Sequence, residues 1–431
     1  MKKVVSVVLA ASMAMSLAAC SSSSSSSTAT TAAETTAAAA ETTAAESAAE
    51  SAEETTAAEA TEAKEVKVGF IFLHDENSTY DRNFMEAAKA ACEAQGVEYM
   101  QKTGIPESNE CYEAAADLID HGCNVIFADS FGHESYLLQA AKEYPDVQFC
   151  HATGTMAHTE QLENFHDAFA AIYDGRYLAG VAAGMKLNEM IENGEFTAEE
   201  AKVGYVGAFT YAEVISGYTA WFLGVRSECP TATMEVSFTG SWYDEAAEKE
   251  KAQMLIADGC KLISQHADSM GAPTACEEAG VPNVSYNGST LSACPNTFIV
   301  SSRINWQPYM EYMIECVKNG EDIGYDWTGT LATGSVVLTD VNEAVAAEGT
   351  ADKLAEVTAK LEDGSLHVFD TATFTVGGET LTSYEADVDT DEAYTKDTEV
   401  ISDGYFHESE YRSAPYFDVQ IDGITLLDTA F

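Results

Sequence analysis

Polar loops that directly follow short β-branched runs carry the chemistry in this 431-residue chain. The first reads His74, Asp75, Glu76, Asn77, Ser78, Thr79, Tyr80, Asp81, Arg82, Asn83, and the second Asp129, Ser130, Phe131, Gly132, His133. A third holds Phe209, Tyr211 and Glu213, and a fourth runs Gln265, His266, Ala267, Asp268, Ser269. Trp242, Tyr243 and Asp244 follow a further run ending near Thr239. Each loop alone has a plain explanation, because Ser, Asp and Asn cap helices and loop aromatics pack on their neighbours. Together they offer aromatic faces for stacking and carboxylates that accept from ring N–H, amino or hydroxyl groups. That combination suits the capture of a flat heteroaromatic ring.

Bond-making chemistry finds less support. No G-x-G-x-x-G follows the first strand, and the P-loop, G-x-S-x-G and H-E-x-x-H patterns do not occur. His151, His158 and His166 form a loose group, but none stands one helical turn from another and no cysteine pattern completes a site. They read as polar loop histidines; no metal, no cofactor and no catalysis are expected.

The loops must be held by the elements between them. Short β-branched runs alternate with amphipathic stretches, the mark of βαβ units around parallel sheets. Strands are expected at 66–73, 97–101, 125–128 and 147–151, with helices near 84–92, 109–121 and 133–144. A second series with the same rhythm begins with a helix at 175–190 and a strand at 203–207, and continues through strands at 234–239 and 262–265. Ligands in open α/β sheets bind outside the carboxyl ends of strands, where the polar loops lie. The fold class is therefore α/β: two doubly wound lobes with a hinge and a ligand cleft between them. Residues 64–172 with about 303–330 are assigned to the N-terminal lobe, and 173–302 with about 331–370 to the C-terminal lobe. The acidic stretch 371–431 reads as an extension of short strands and loops.

Ahead of the lobes, Lys2 and Lys3 precede an apolar run at 4–17, the layout of a secretory signal peptide and too short for a permanent membrane span. It ends in Leu17, Ala18, Ala19, Cys20, which resembles the lipobox where bacterial lipoproteins are cleaved; Cys20 is the expected lipidation site. Residues 21–63 are Ser, Thr, Ala and Glu with no aromatic, so they have nothing to bury against the entropy of ordering and read as a disordered tether. The net charge of −50 excludes nucleic acid as a partner and favours a neutral or cationic small molecule. Of ten cysteines, removal of Cys20 leaves an odd number without C-x-x-C spacing, and these read as small buried hydrophobes.

With the loops and rhythm in view, the chain resembles the basic membrane protein family of substrate-binding lipoproteins, whose members bind purine nucleosides or bases for ABC importers. The similarity runs from about Lys64 to Asp370. It is carried by GRYLAGVAAGM at 175–185, VGYVGAFTYAEVISGYTAWFLGVRS at 203–227, SWYDEAAEKEKAQMLIADGCKLISQHADS at 241–269 and NVIFADSFGHES from Asn124. The resemblance implies the type I periplasmic-binding-protein fold, with three hinge crossings. It also implies that Tyr80 stacks on the base, that Asp81 stands where many members carry asparagine, and that Phe209, Glu213, Trp242 and Asp268 surround the ligand in the second lobe. Asn287 stands near a position often held by aspartate, and Trp306 matches a tryptophan of one branch. A lysine found near Ile304 in the nucleoside branch is absent, which leans toward free bases.

The expected function is a lipid-anchored extracellular binding component of an ABC importer, holding a purine nucleoside or base. Its ligand set is Tyr80, Asp81, Asn83, Ser130, Phe131, Phe209, Glu213, Trp242, Asp268, Asn287 and Trp306. Permease and ATPase subunits are the implied partners, the membrane is reached through the lipid, and the binding protein itself is expected as a monomer. A sugar or autoinducer receptor and a sensor lipoprotein coupled to a membrane receptor are the alternatives.

Overall fold

A computed structural model describes residues 65–388 and 398–431. The expected signal segment, Cys20 and the tether to residue 63 lie outside the described residues.

The first sheet is built from β1 (Lys67–Ile71), β2 (Glu98–Lys102), β3 (Val125–Ala128), β4 (Gln148–Ala152) and β5 (Phe165–Ala170), interleaved with α1 (Thr79–Gln95), α2 (Asn109–Asp120), α3 (Glu134–Glu143) and the short α4 (Met156–Glu160). The chain then runs through α5 (Ile172–Glu192), β6 (Lys202–Gly207), α6 (Ala212–Glu228), β7 (Thr233–Phe238), α7 (Glu245–Ala257), β8 (Leu262–His266), α8 (Gly271–Ala279), β9 (Asn283–Tyr286) and β10 (Phe298–Ile304). It returns to the first sheet with α9 (Gln307–Asn319) and β11 (Asp326–Gly329), and crosses again to β12 (Val336–Leu338) and α10 (Thr350–Glu362). Two-residue strands β13 (Glu385–Ala386), β14 (Thr398–Glu399), β15 (Ile401–Ser402) and β16 (Tyr405–Phe406) precede β17 (Ile424–Leu426).

Strand order is β2-β1-β3-β4-β5-β11 in the first sheet and β17-β7-β6-β8-β9-β10-β12 in the second. Every pairing is parallel except the antiparallel β10–β12. Each sheet thus repeats one doubly wound order, reversing direction beside its first strand: between β1 and β3, and between β6 and β8. At such a reversal the flanking loops diverge to opposite faces and leave a crevice at the carboxyl edge. The sequence marks its central strands with near-continuous apolar runs, as burial on both faces requires; Val68, Phe70, Val125 and Phe127 are fully buried in the first sheet, and Val203, Tyr205 and Leu262 in the second.

Helices α5 and α6 approach closely because glycine sits on both sides of the contact. A Cβ on Gly180 would lie 2.0 Å from the Trp221 carbonyl oxygen, and one on Gly224 would lie 2.1 Å from that of Tyr177. That contact sets the start of α5, with Arg176, against α6, whose first turn carries Glu213.

The acidic tail behaves differently from a simple appendage of loops. Phe369, Phe374, Phe406 and Phe417 join the second lobe's core, and β17 pairs in parallel with β7 as an edge strand. The tail also bonds to the first sheet: the Ser413 amide and hydroxyl donate to Asp326 on β11, and the Thr328 hydroxyl donates to the Ser409 carbonyl at 3.4 Å. In the second lobe, Asp428 accepts from Ser237, the Phe238 amide and Lys251.

Candidate functional site

A slot opens at the carboxyl edges of both sheets, next to the two reversals in strand order. Leu73, Tyr80, Asp81, Ser130, Phe131 and Thr153 line it from the first lobe, and Glu213, Trp242, His266 and Asp268 from the second. The space between these walls is about 350 Å³. It is narrow rather than round.

On the first lobe, Ser78 caps α1 by accepting from the Asp81 amide at 3.1 Å, and its hydroxyl donates to Asp81 Oδ2 at 2.6 Å. The His74 amide donates to Asp81 Oδ1 at 2.7 Å, and His74 Nδ1 lies 3.3 Å from Oδ2. Burial acts to raise the Asp81 pKa, but the bonds from the His74 ring, the Ser78 hydroxyl and the His74 amide outweigh it, so the carboxyl is held below its ordinary value. Both oxygens are therefore engaged in shaping the loop. Neighbouring Asp129 shows the opposite behaviour, pushed well above the carboxylate range by burial and then by the Asp81 charge. The Tyr80 hydroxyl donates to the Asp129 carbonyl at 2.8 Å and its ring meets Phe84 edge-on at 4.8 Å. With its hydroxyl so occupied, Tyr80 offers the slot its ring. The Ser130 hydroxyl donates to Glu107 at 2.6 Å, which fixes the loop after β3.

On the second lobe, Trp242 is braced edge-on by Phe209 at 5.0 Å, and Phe209 stacks on Tyr211, also at 5.0 Å. Phe209 thus supports the slot wall from behind. His266 Nε2 lies 3.3 Å from Glu213 Oε1; burial lowers the imidazole pKa, against the pull of Glu213, and keeps the ring neutral. The Asp268 pKa is pushed up from its ordinary value by burial, then by the charges of Asp81, Glu248 and Glu213. Behind it the buried Arg176 donates to the Tyr205 hydroxyl at 2.8 Å and the Gln265 carbonyl at 3.1 Å, with its guanidinium 3.5 Å over the Tyr286 ring.

Three expected residues stand away from these walls. The Asn83 amide donates to the Ile304 carbonyl, joining α1 to the end of β10. Asn287 adopts the left-handed conformation at φ 63° in the turn after β9, and its amide donates to Ser302 at 2.9 Å. Trp306 is buried in the first lobe's core, stacked on Phe84 at 4.5 Å. Apolar packing on Phe84 and Phe127 claims that indole, because α9 packs on α1. Conversely, Thr153 and His266 line the slot without having been singled out. His266 carried a signal, two residues from Asp268 in one polar loop; Thr153, at φ 65°, carried none.

A wider cleft of about 1360 Å³, against about 350 Å³ for the slot, adjoins it and shares Phe131, Thr153 and Glu213 with it. Its far wall comes from the tail, with Asp387, Arg412, Tyr416 and Phe431. No helix among the described residues is long and apolar enough to cross a membrane.

Comparison with known proteins points the same way as this geometry. A family model described as ABC transporter substrate-binding protein, PnrA-like, matches residues 72–365. Among curated relatives, a Haloferax volcanii protein named as an ABC transporter glucose-binding protein is 31% identical over 242 residues, covering 56% of this chain and 57% of that one. A purine-binding protein of Brucella abortus is 29% identical over 267 residues, covering 61% of this chain and 71% of its own. The chain thus spans little more than half of the first relative's length. Among solved structures, a solute-binding protein of an Aeropyrum pernix ABC transporter superposes with a TM-score of 0.60 at 17% identity, over 70% of this chain and 93% of that one. The fold is that of the type I periplasmic solute-binding proteins.

Proposed function

The chain belongs to the Bmp family of PnrA-like ABC transporter substrate-binding proteins, and from that premise we propose that its slot holds a purine base or nucleoside for import. The observation that carries this reading is that two acidic side chains, Asp268 and Glu213, line one narrow slot together with the rings of Tyr80 and Trp242. A purine edge presents ring nitrogens that accept and amino or N–H groups that donate; carboxyl oxygens accept from the donors, and the burial that raises the Asp268 pKa favours the protonated form that can donate. Tyr80 and Trp242 supply the faces for stacking. Asp81 serves as a positioning residue for Tyr80 and the loop, and Phe209 as a brace for Trp242.

Hinge motion between the two sheets admits the ring, and closure presents a joint surface to permease and ATPase subunits. Cys20 anchors the protein by lipid to the outer face of the cell membrane. Loss of labelled fatty acid on Cys20→Ala, with release of the protein to the medium, tests the anchor; retention of label rejects it.

Mass spectrometry of what co-purifies with the protein, followed by calorimetry with adenine, adenosine, guanosine and glucose, tests the ligand. A purine that binds in the micromolar range or tighter supports the reading. A sugar has one observation in its favour, the similarity to the Haloferax protein named as glucose-binding; glucose binding with no purine response would replace the purine reading.

A further inference from the structure

Behind the slot wall lies a second constellation that ring recognition does not use. Glu134 at the start of α3, His151 on β4 and Asp167 on β5 are all buried, and each offers a ligand atom within 4.8 Å of the others. His151, at the end of the strand expected at 147–151, and His166, read as a polar loop residue, are both buried in strands. His151 Nε2 lies 2.7 Å from the Ser130 carbonyl, an oxygen that can only accept, so Nε2 carries the proton and Nδ1 presents a lone pair. That Nδ1 has no hydrogen-bond partner and faces Asp167 Oδ1, likewise without one, at 3.8 Å. The remaining contacts fix the carboxylates in place. Glu134 Oε1 accepts from the Thr155 and Met156 amides at 2.6 and 2.5 Å, and Asp167 Oδ2 accepts from the Ala157 amide at 2.9 Å. The Arg412 guanidinium donates to the carbonyls of Ala414, Asp387 and Pro415, so its charge favours the Glu134 carboxylate.

Three potential ligand atoms thus converge in a buried space, with Glu134 and Asp167 close enough to share a proton that a bound cation would displace. We propose that Glu134, His151 and Asp167 bind one divalent first-row transition cation behind the slot wall. The donor set of one imidazole and two carboxylates suits Zn²⁺ or Mn²⁺, whereas Ca²⁺ takes six to eight oxygens. Bonds of about 2.1 Å to a tetrahedral ion place ligand atoms about 3.4 Å apart, so the 3.8 Å between His151 and Asp167 closes with a small shift. A ligating histidine usually donates its other N–H to a carbonyl, as His151 does to Ser130. The ion ties β4 and β5 to the loop after β3, and hence to Ser130 and Thr153 in the slot wall. It makes no contact with the guest and does not depend on the guest being a purine.

The test is metal content and thermal shift on the purified protein after chelator treatment and dialysis, using Zn²⁺ as the probe. The expected result is about one equivalent regained and a melting temperature raised by about 5 °C at a hundredfold excess over Kd, both lost in Glu134→Gln and in Asp167→Asn. No uptake by the unsubstituted protein overturns the site, as does equal uptake by both variants, which would place the ion on surface carboxylates. Should neither variant fold, anomalous scattering from a zinc-soaked crystal of the unsubstituted protein decides: a peak among the three side chains supports the site, and its absence rejects it.

Discussion

The amide and the hydroxyl of Thr79 both donate to the backbone carbonyl of Asp268, at 2.9 and 3.2 Å, so the first turn of α1 is fastened to the loop after β8 across the slot. The same loop is held in turn by the Asp268 amide, which donates to the Trp242 carbonyl at 2.9 Å. Closure and the placement of the slot's acid and aromatic wall are therefore one event.

Thr79→Val removes one of these bonds and leaves the amide in place. A hydrogen bond of this kind contributes about 0.5–1.5 kcal/mol, so ligand affinity is expected to fall about two- to tenfold. Calorimetry reads the loss, and an unchanged Kd would show that the hydroxyl does not stabilise closure.

Two substitutions at Tyr80 separate its ring from its hydroxyl. Tyr80→Ala loses a stacking face, with about 1–3 kcal/mol of base binding, or roughly five- to 150-fold in Kd. Tyr80→Phe keeps the face but leaves the Asp129 carbonyl without its donor, lowering stability by about 1 kcal/mol with affinity nearly unchanged. Equal affinity in the Ala and Phe variants would remove Tyr80 from the ligand's face.

Stability should fall as pH rises from 7 to 8. Burial pushes Asp174 and Glu248 up to about 7 and Glu408 up to about 8. In the unfolded chain these carboxyls ionise near pH 4, while the folded protein keeps their protons. Their contribution is complete below the unfolded value and is lost as pH passes through the folded ones. Asp81 acts in the other direction, but its contribution is lost only as pH falls below about 4. The buried His133, His151, His166 and His266, whose pKa values burial lowers, oppose the carboxyls up to about pH 6.5 and no longer do so above it. Melting temperatures should therefore descend between pH 7 and pH 8, and Glu408→Gln should flatten the descent; a rise across that interval contradicts this account.

All nine described cysteines are unpaired and buried, and burial holds the thiols of Cys92, Cys111 and Cys260 at about 12. Thiol reagents should label none of them in the native protein within minutes and all of them after denaturation. A reducing agent should leave the melting temperature unchanged. Rapid native labelling of any one would place it at the surface.

What the sequence revealed followed from physics that operates over short stretches. Val68, Phe70, Val125 and Phe127 announce buried parallel strands by being continuously apolar, and the polar loops behind Ile71, Ala128, Gly207 and His266 are where such strands must end. Trp242 and Asp268 could be read from those loops because a strand end and a slot wall coincide. Trp306 could not be assigned that way: a tryptophan at the start of a helix looks the same whether it faces a ligand or, as here, Phe84. Glu134, His151 and Asp167 come from three elements whose meeting depends on strand order, which spacing does not encode. The tail eluded reading for a similar reason, since β17 is an edge strand of only three residues and is defined by its pairing with β7.

That tail has a mechanical corollary. Through Ser413 it holds Asp326 on one side of the hinge, and through Asp428 it holds Ser237 and Phe238 on the other, so it acts as a bridle across both jaws. Swinging the jaws apart must unhook one end or drag the intervening chain with it. The reach of the segment between Ser413 and Asp428 thus limits how far the two sheets can separate while both ends stay bonded.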